Sequence, residues 1–574
     1  MGFADGRRRA PRVCGAAFLS CLAAAGCDLG YLSSDFRPSG GAGGAAGAGQ
    51  GGAIAGAAGS GAGGGSQPSS ALAFSVGFGD PTTDENESAA EPYSIRVAAM
   101  TGGRMLVAFH TGGAQVVVGD GLYTSDGIDL FLAVVGPDGE VQSHRHLAMP
   151  GDQILRAIAS PGPEGPFYIG GTTKEPLEIA EVSPLPFGEQ DVSGYVLRIQ
   201  PDEGPPKVTG ATVFMGPGGQ NVESLFADAE GRVWVGGQTK GALKAYAPDS
   251  AMGQVLIDSC VAPDYSPEKG AYGGFFAAMS PELSACSKLA SFGHSGMVMA
   301  PGDIHVRAIT ADDANNLYLG GSFKGKMRVA AGGPELDDKS LGAGFVARVS
   351  ADGKSPWGAV LRSGTGIDAV LALSLAGDRV VAAGQGAAGV FTGFDRFTSE
   401  GDFPGEPCVP NDLVTDSVDG VLAYLDTGTG ACGPAARLSG NLPFEQPTER
   451  VRSVAAMSTG ELWVTGTFEK VLLLNGDPLS PPLDGTTPIE SFLLKIAKDG
   501  LEQQPADVPF VQGWSGDANQ VVQHLAVLTD GRVAVTGSYT GSIPGGAPEL
   551  PLSANAPQDF FLLVIDPEGT TVQF

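Results

Sequence analysis

Four cysteines in the body of the chain stand in two matched pairs. Cys260 lies 14 residues before Gly274 and Cys286 lies 12 after it, while Cys408 and Cys432 flank Gly420 by 12 residues on either side. Both glycines open the same kind of segment, GFFAAM and GVLAYL, so the two pairs occupy equivalent places. In an oxidising compartment such pairs form disulfides, Cys260–Cys286 and Cys408–Cys432, each expected within one structural unit. Zinc ligation is the rival chemistry, but no histidine stands at ligand spacing from these thiols. His144 and His146 in SHRHL alternate onto one strand face, where they could bind a metal or simply lie on an exposed strand. Asp312, Asp313, Asn315 and Asn316 could supply oxygens to calcium, although an Asx-rich hairpin turn needs no ion. GGSFKGKM at Gly320 has the outline of a phosphate-binding loop, with Met327 where Ser or Thr is needed. Its siblings GGQTKGAL at Gly236 and TGSYTGSI at Thr536 make it a recurring turn. The chain has no GxSxG or HExxH. Paired carboxylates for glycoside cleavage are invisible to spacing when a fold gathers them from distant segments.

These residues sit in a repeated framework. One strand reads RMLVAF at Arg104, PFYIGG at Pro166, RVWVGG at Arg232, NLYLGG at Asn316, RVVAAG at Arg379, ELWVTG at Glu461 and RVAVTG at Arg532. A further strand follows each copy: FLAVV at Phe131, YVLRI at Tyr195, FFAAM at Phe275, FVARV at Phe345, VLAYL at Val421, FLLKI at Phe492 and FLLVI at Phe561. Seven copies of short strands with glycine turns predict an all-β fold, a seven-bladed β-propeller of four-stranded antiparallel blades over residues 70–574. Trp234, Trp463, Tyr168 and Tyr318 share one repeat position and are expected to pack between blades. The last repeat stops just after its third strand, so ALAFSVGFGD at Ala71 is expected to supply the missing fourth strand and close the ring. Spacings between the residues that end the second strands are 62, 66, 84, 63, 82 and 71. The two long intervals place extra residues at 239–273 and 385–419, in the cysteine-bearing blades. Such loops are expected to shape a face that binds an envelope protein or a polysaccharide.

The N-terminus predicts export. Arg7, Arg8, Arg9 and Arg12 precede a short apolar stretch, Val13 to Ala25, too short to span a bilayer. Ala24-Ala25-Gly26-Cys27 resembles a bacterial lipobox, which implies a signal peptide over 1–26 and a diacylglyceryl group on Cys27. Ordinary signal cleavage near Ala23 to Ala25, releasing a secreted protein, is the alternative. Residues 27–69 are nearly all Gly and Ala from Gly40 to Ser66 and read as a flexible tether. A coil over 28–69 spans roughly 35 Å root-mean-square. The formal net charge is −29, from 34 Lys and Arg against 63 Asp and Glu, a field that repels phosphate backbones and argues against nucleic-acid partners.

VRAITADDANNLYLGGSFKG at Val306, followed by GFVARVSADGKSPW at Gly344, is similar to the unit of the bacterial β-propeller repeat family. With the signal, the chain resembles a propeller lipoprotein of the myxobacterial type. The resemblance covers about residues 70–574 and implies a structural repeat without catalytic residues to carry over. Phe109, where glycine is usual, and the extra turn residue of GDRVVAAG depart from the pattern. The expectation is a monomeric, non-catalytic binding or scaffolding module of the cell envelope, tethered by its lipid and without a cofactor. The alternative is a propeller enzyme, a lyase or glycosidase, acting on extracellular carbohydrate; it would gather carboxylates, His, Tyr or Arg at the central channel.

Overall fold

The computed structural model describes residues 72–78 and 94–566, apart from connecting stretches of which the longest are 263–271, 295–302, 404–413, 441–448, 480–488 and 540–558. Two single 3₁₀ turns, Thr101–Gly103 and Gly500–Glu502, are the helical elements among the described residues; the regular structure is otherwise strand. Seven large antiparallel sheets follow one another along the chain. Their first four strands begin with Ser94–Ala99, Met105–Thr111, Asp129–Val135 and Val141–Leu147 in blade one, and the pattern repeats. The innermost strands of the next six are Gln153–Ala159, Gln220–Ala227, His305–Ala311, Ala369–Ala376, Arg450–Ala456 and Gln520–Val527.

Each innermost strand packs against that of the next blade, and the seventh returns to the first, so the ring is closed. The core is accordingly divided into seven apolar clusters, each drawing side chains from two adjacent sheets. Tyr168, Trp234, Tyr318 and Trp463 each lie in the cluster shared with the following blade, as their common repeat position predicts. A backbone latch accompanies this packing. The residue opening an innermost strand donates its N–H to a carbonyl just before the preceding blade's third strand: Gln153 to Ile128, Gln220 to Val192, Glu449 to Val418 and Gln520 to Ile489, at 2.7–3.1 Å. The N-terminal strand Leu72–Phe78 pairs antiparallel with Asp559–Ile565, giving blade seven its fourth strand.

The repeat motif has a steric cause. In blades two to seven the innermost strand carries a β-bulge opposite the glycine that ends the second strand. The carbonyl before the bulge leans over that glycine. A Cβ at Gly171, Gly237, Gly321, Gly384, Gly466 or Gly537 would meet a backbone oxygen at 1.8–2.3 Å, which no side chain can tolerate. The aromatic residue leading the third strand stands directly opposite, as Gly321 with Phe345 and Gly466 with Phe492, and its ring covers the space the glycine leaves. Blade one has no bulge in this pairing, and there Phe109 replaces the glycine and stacks on Phe131 at 5.2 Å.

The long insertions behave differently from the expected recognition loops. Lys244–Ala247 and Val255–Val261, from the 239–273 insertion of blade three, hydrogen-bond to the outer edge of blade two. Gly393–Thr398 and Gly401–Phe403, from blade five, extend blade four. Shorter hairpins from blades four and six extend blades three and five in the same way. Blades three to six thus each lend an insertion to the edge of the preceding blade, which covers the fourth strands of blades two to five and interlocks them.

The Cys260–Cys286 disulfide follows from this crossover. It forms as expected, with a Cα–Cα distance of 5.3 Å, but it is not confined to one sheet: Cys260 lies on the strand added to blade two, and Cys286 opens the fourth strand of blade three. The bond therefore ties adjacent blades. Replacing both cysteines by serine is expected to lower stability by about 3.5 kcal/mol, on the chain-entropy model for a loop of this length. Thermal unfolding with and without reductant checks it; an unchanged midpoint in the double variant would contradict the tie. Cys432 is also disulfide-bonded. Its expected partner Cys408 lies outside the described residues, as do Cys27, the signal and the tether.

At the junction of blades five and six, Glu449 is wholly buried near the buried Arg437–Asp419 ion pair. Burial, and then the charges of Asp419 and Glu469, push its carboxyl up to about 9, so it is protonated at neutral pH. The unfolded chain releases this proton near pH 4.5 and the folded chain keeps it, so stability falls as pH rises from there toward 9. Glu449→Gln is expected to flatten that decline and to raise the melting temperature at pH 8. Calorimetry across the window tests this; parallel profiles for the two proteins would refute it.

Candidate functional site

The first strands carry a repeat pattern of their own. Aligned on the bulge, they read apolar, X, then mostly a small residue: Leu155-Arg156-Ala157, Val222-Glu223-Ser224, Val306-Arg307-Ala308, Val370-Leu371-Ala372, Val451-Arg452-Ser453 and Val522-Gln523-His524, with Ile95-Arg96-Val97 in blade one. The apolar residue before X is buried in a cluster between blades in every copy. In blades two to seven the bulge leaves X without a partner on the second strand and takes it out of the packing between sheets, and on an innermost strand that turns it toward the axis of the ring. One residue from each blade results: Arg96, Arg156, Glu223, Arg307, Leu371, Arg452 and Gln523. All seven keep partial solvent exposure although they belong to the innermost strands.

Four arginines and one carboxylate face one another there, in a protein of net charge −29. Their fields cross the axis. Burial, followed by the like charges of Arg450, Arg307 and Arg96, pushes the Arg452 guanidinium down to about 9, still cationic at neutral pH. These neighbours come from blades six, four and one. Arg96 is brought down to about 10 by burial and then by Arg156. Its Nε donates to the Arg156 carbonyl at 2.9 Å, and Nη1 to the Ile95 carbonyl at 2.9 Å and to Gln523 Oε1 at 3.1 Å. His524, beside Gln523, is held neutral: burial first and Arg96 second bring its imidazole down to about 3.

Glu223 is the one acid of the ring. Burial pushes its carboxyl up, but His305, Arg307 and Arg156 outweigh that and hold it below the usual range, so it is a carboxylate. Oε1 lies 3.0 Å from His305 Nδ1 and accepts from Gln238 Nε2 at 2.9 Å. The arrangement can attract an anion, orient it with guanidinium forks, and offer a carboxylate and an imidazole to neighbouring hydroxyl groups.

The residues singled out in the sequence lie elsewhere. Asp312 closes its hairpin: Oδ1 accepts from the Ala314 and Asn316 amides at 3.0 and 2.8 Å, and Oδ2 accepts from Asn316 Nδ2 and the Tyr318 hydroxyl at 2.8 and 3.0 Å. Its oxygens serve the turn. His144 and His146 share a face, but the strand is not exposed. The hairpin Gln115–Val118 and Gly121–Thr124 brings in Tyr123, whose hydroxyl meets His144 Nδ1 at 2.5 Å, while Asp120 meets Nε2 at 3.1 Å. His146 pairs with Asp129 at 2.8 Å and stacks on Phe131. Among the described residues no three His, Cys, Asp or Glu side chains gather as a metal site. The glycine turn at Gly320 runs from one strand into another, Lys326–Arg328.

No family model and no curated protein matches the sequence. Among solved structures, the chain is similar to the NanB sialidase of Streptococcus pneumoniae, at 8% identity over 86% of this chain and 71% of that one, with a TM-score of 0.33. It is also similar to the intramolecular trans-sialidase of Ruminococcus gnavus, at 8% identity over 84% and 96%, with a TM-score of 0.30. The quinohemoprotein alcohol dehydrogenase of Comamonas testosteroni follows at 11% identity over 82% and 76%, with a TM-score of 0.31. The fold and the ring of channel residues define a β-propeller with a cationic axis.

Proposed function

We propose that this chain is an exported β-propeller, tethered to the bacterial envelope by a lipid on Cys27, that acts as a binding module with its ligand site in the central channel. The observation that carries this reading is the ring itself: one partly exposed side chain from every blade, four of them arginine, at the axis of an acidic protein. Such a channel concentrates anions against the field of the outer surface. The likeness of the repeat to bacterial β-propeller repeats, and the lipobox-like AAGC, support the envelope assignment.

A second reading, an enzyme acting on extracellular carbohydrate, is favoured by the same ring, which gathers the carboxylate, His and Arg expected of such an enzyme, with the Glu223–His305 pair and the neutral His524 among arginines. One titration separates the two. The full-length protein in detergent is titrated calorimetrically with acidic and neutral oligosaccharides at low and high salt, and the mixtures are analysed for cleavage products. The binding reading expects salt-sensitive heat with intact oligosaccharide. Catalytic release of products would replace it with the second. Intact mass of the membrane-derived protein is expected to show a diacylglyceryl chain beginning at Cys27; an unlipidated mass would sink the tether.

A further inference from the structure

Arg452 stands apart from the other channel arginines. Among the described residues it makes no hydrogen bond and no ion pair, and its buried Nε is unsatisfied. The charges that reach it are the cations Arg450, Arg307 and Arg96, while the carboxylate of Glu223 is engaged by His305 and Gln238. Arg452 keeps partial exposure, yet its Nε is shut away from water without a partner, and the like charges around it add to that cost. Nothing in the packing of the first strand requires it: the same ring position is Leu371 in blade five and Gln523 in blade seven.

The missing partner can be described by its charge and shape. The charges that reach Arg452 are all cations, so the partner it lacks is an anion, and one able to accept from more than one guanidinium group. The guanidinium groups also converge from blades one, two, four and six. A flat carboxylate presents its two oxygens to one fork, whereas a tetrahedral oxyanion accepts hydrogen bonds from several directions together. We infer that Arg452, with Arg307 and Arg96 across the axis, forms a binding site for a compact, multiply charged oxyanion, a sulfate or phosphate group, free or esterified to a saccharide. This rests on the reading of the channel as the ligand site and specifies what the channel takes.

The test is thermal unfolding of the full-length protein with low-millimolar sodium sulfate, phosphate or acetate, each against sodium chloride of equal ionic strength. Low concentration and saturation separate binding from the general salting effect of sulfate, which Arg452 variants retain. The expected result is a saturating rise in melting temperature with sulfate and phosphate beyond that with chloride. Arg452→Met should melt higher than the unaltered protein without anion and lose the saturating rise. Arg452→Lys, which keeps the charge and loses the fork, should need roughly tenfold more anion. Lys354→Ala, on an exposed turn, should leave the response intact. A sulfated galactan oligosaccharide and its desulfated form distinguish the sources: saturation at tenfold lower concentration by the sulfated form assigns an ester, and equal concentrations assign the free ion.

Two results would overturn the assignment. If acetate or a neutral oligosaccharide stabilises through Arg452 while sulfate and phosphate do not, the channel remains the ligand site and the oxyanion class falls. If sulfate acts equally on the unaltered protein, Arg452→Met and Arg452→Lys, and no other ligand depends on Arg452, the channel reading falls with it.

Discussion

Gly321→Ala is expected to destabilise the protein by about 3 kcal/mol or more, far beyond the usual effect of adding one methyl group to a strand. The new Cβ would sit 1.8 Å from the His305 carbonyl oxygen and 3.0 Å from the Phe345 ring. The obstacle is backbone, so relief requires flattening the bulge at Arg307 or parting the first and second strands of blade four. Either movement also withdraws Arg307 from the axis. The equivalent position in blade one makes a control with the opposite sign of volume. Phe109 fills space there because its strand pair lacks the bulge, and Phe109→Gly should leave a cavity costing about 3–5 kcal/mol. Denaturant unfolding of the two variants measures both. A Gly321→Ala protein within 0.5 kcal/mol of the parent would mean that the bulge does not dictate the glycine.

The second large effect concerns closure. Deleting 72–78 while keeping residues 1–71 would strip Asp559–Ile565 of its outer neighbour and expose a row of unpaired backbone groups. The hairpin beginning with Gln115–Val118, which contacts the N-terminal strand, would lose its support as well. Early, separate melting of blade seven and edge-to-edge association are expected, read as a pretransition in calorimetry and a larger mass by light scattering. A monomer with one unshifted transition would show that the N-terminal strand is not the clasp.

Much of this architecture was legible in the residues because the repeat is a steric rule written seven times. A bulge demands a glycine, and the glycine invites an aromatic residue opposite, so those residue types recur at fixed offsets and mark the second and third strands. The clasp was legible because a repeat that ends one strand short must find it elsewhere. The cysteine spacing predicted the Cys260–Cys286 bond but not its setting, since spacing along the chain does not say that an insertion turns back onto the neighbouring sheet. The same crossover makes the long intervals edge strands in their described parts rather than the shaped loops that their length suggested.

The channel was hidden for a different reason. Each blade contributes a single residue to it, in a strand whose identity lies in its apolar neighbours. Arg156, Glu223, Leu371 and Gln523 look unrelated until the bulges align them. The available signal was the apolar, X, small pattern, with X basic in four copies of seven while the chain as a whole is strongly acidic. His144 and His146 drew attention as a pair on one strand, yet Tyr123, Asp120 and Asp129 occupy them.

The most direct test of the cationic channel as the ligand site is a crystal structure of the protein soaked in selenate, located by its anomalous scattering. The account expects selenium at the axis, its oxygens within hydrogen-bonding distance of Arg452 and of Arg307 or Arg96. An ordered crystal with selenate bound only on the outer surface, and the axis holding none, would contradict it.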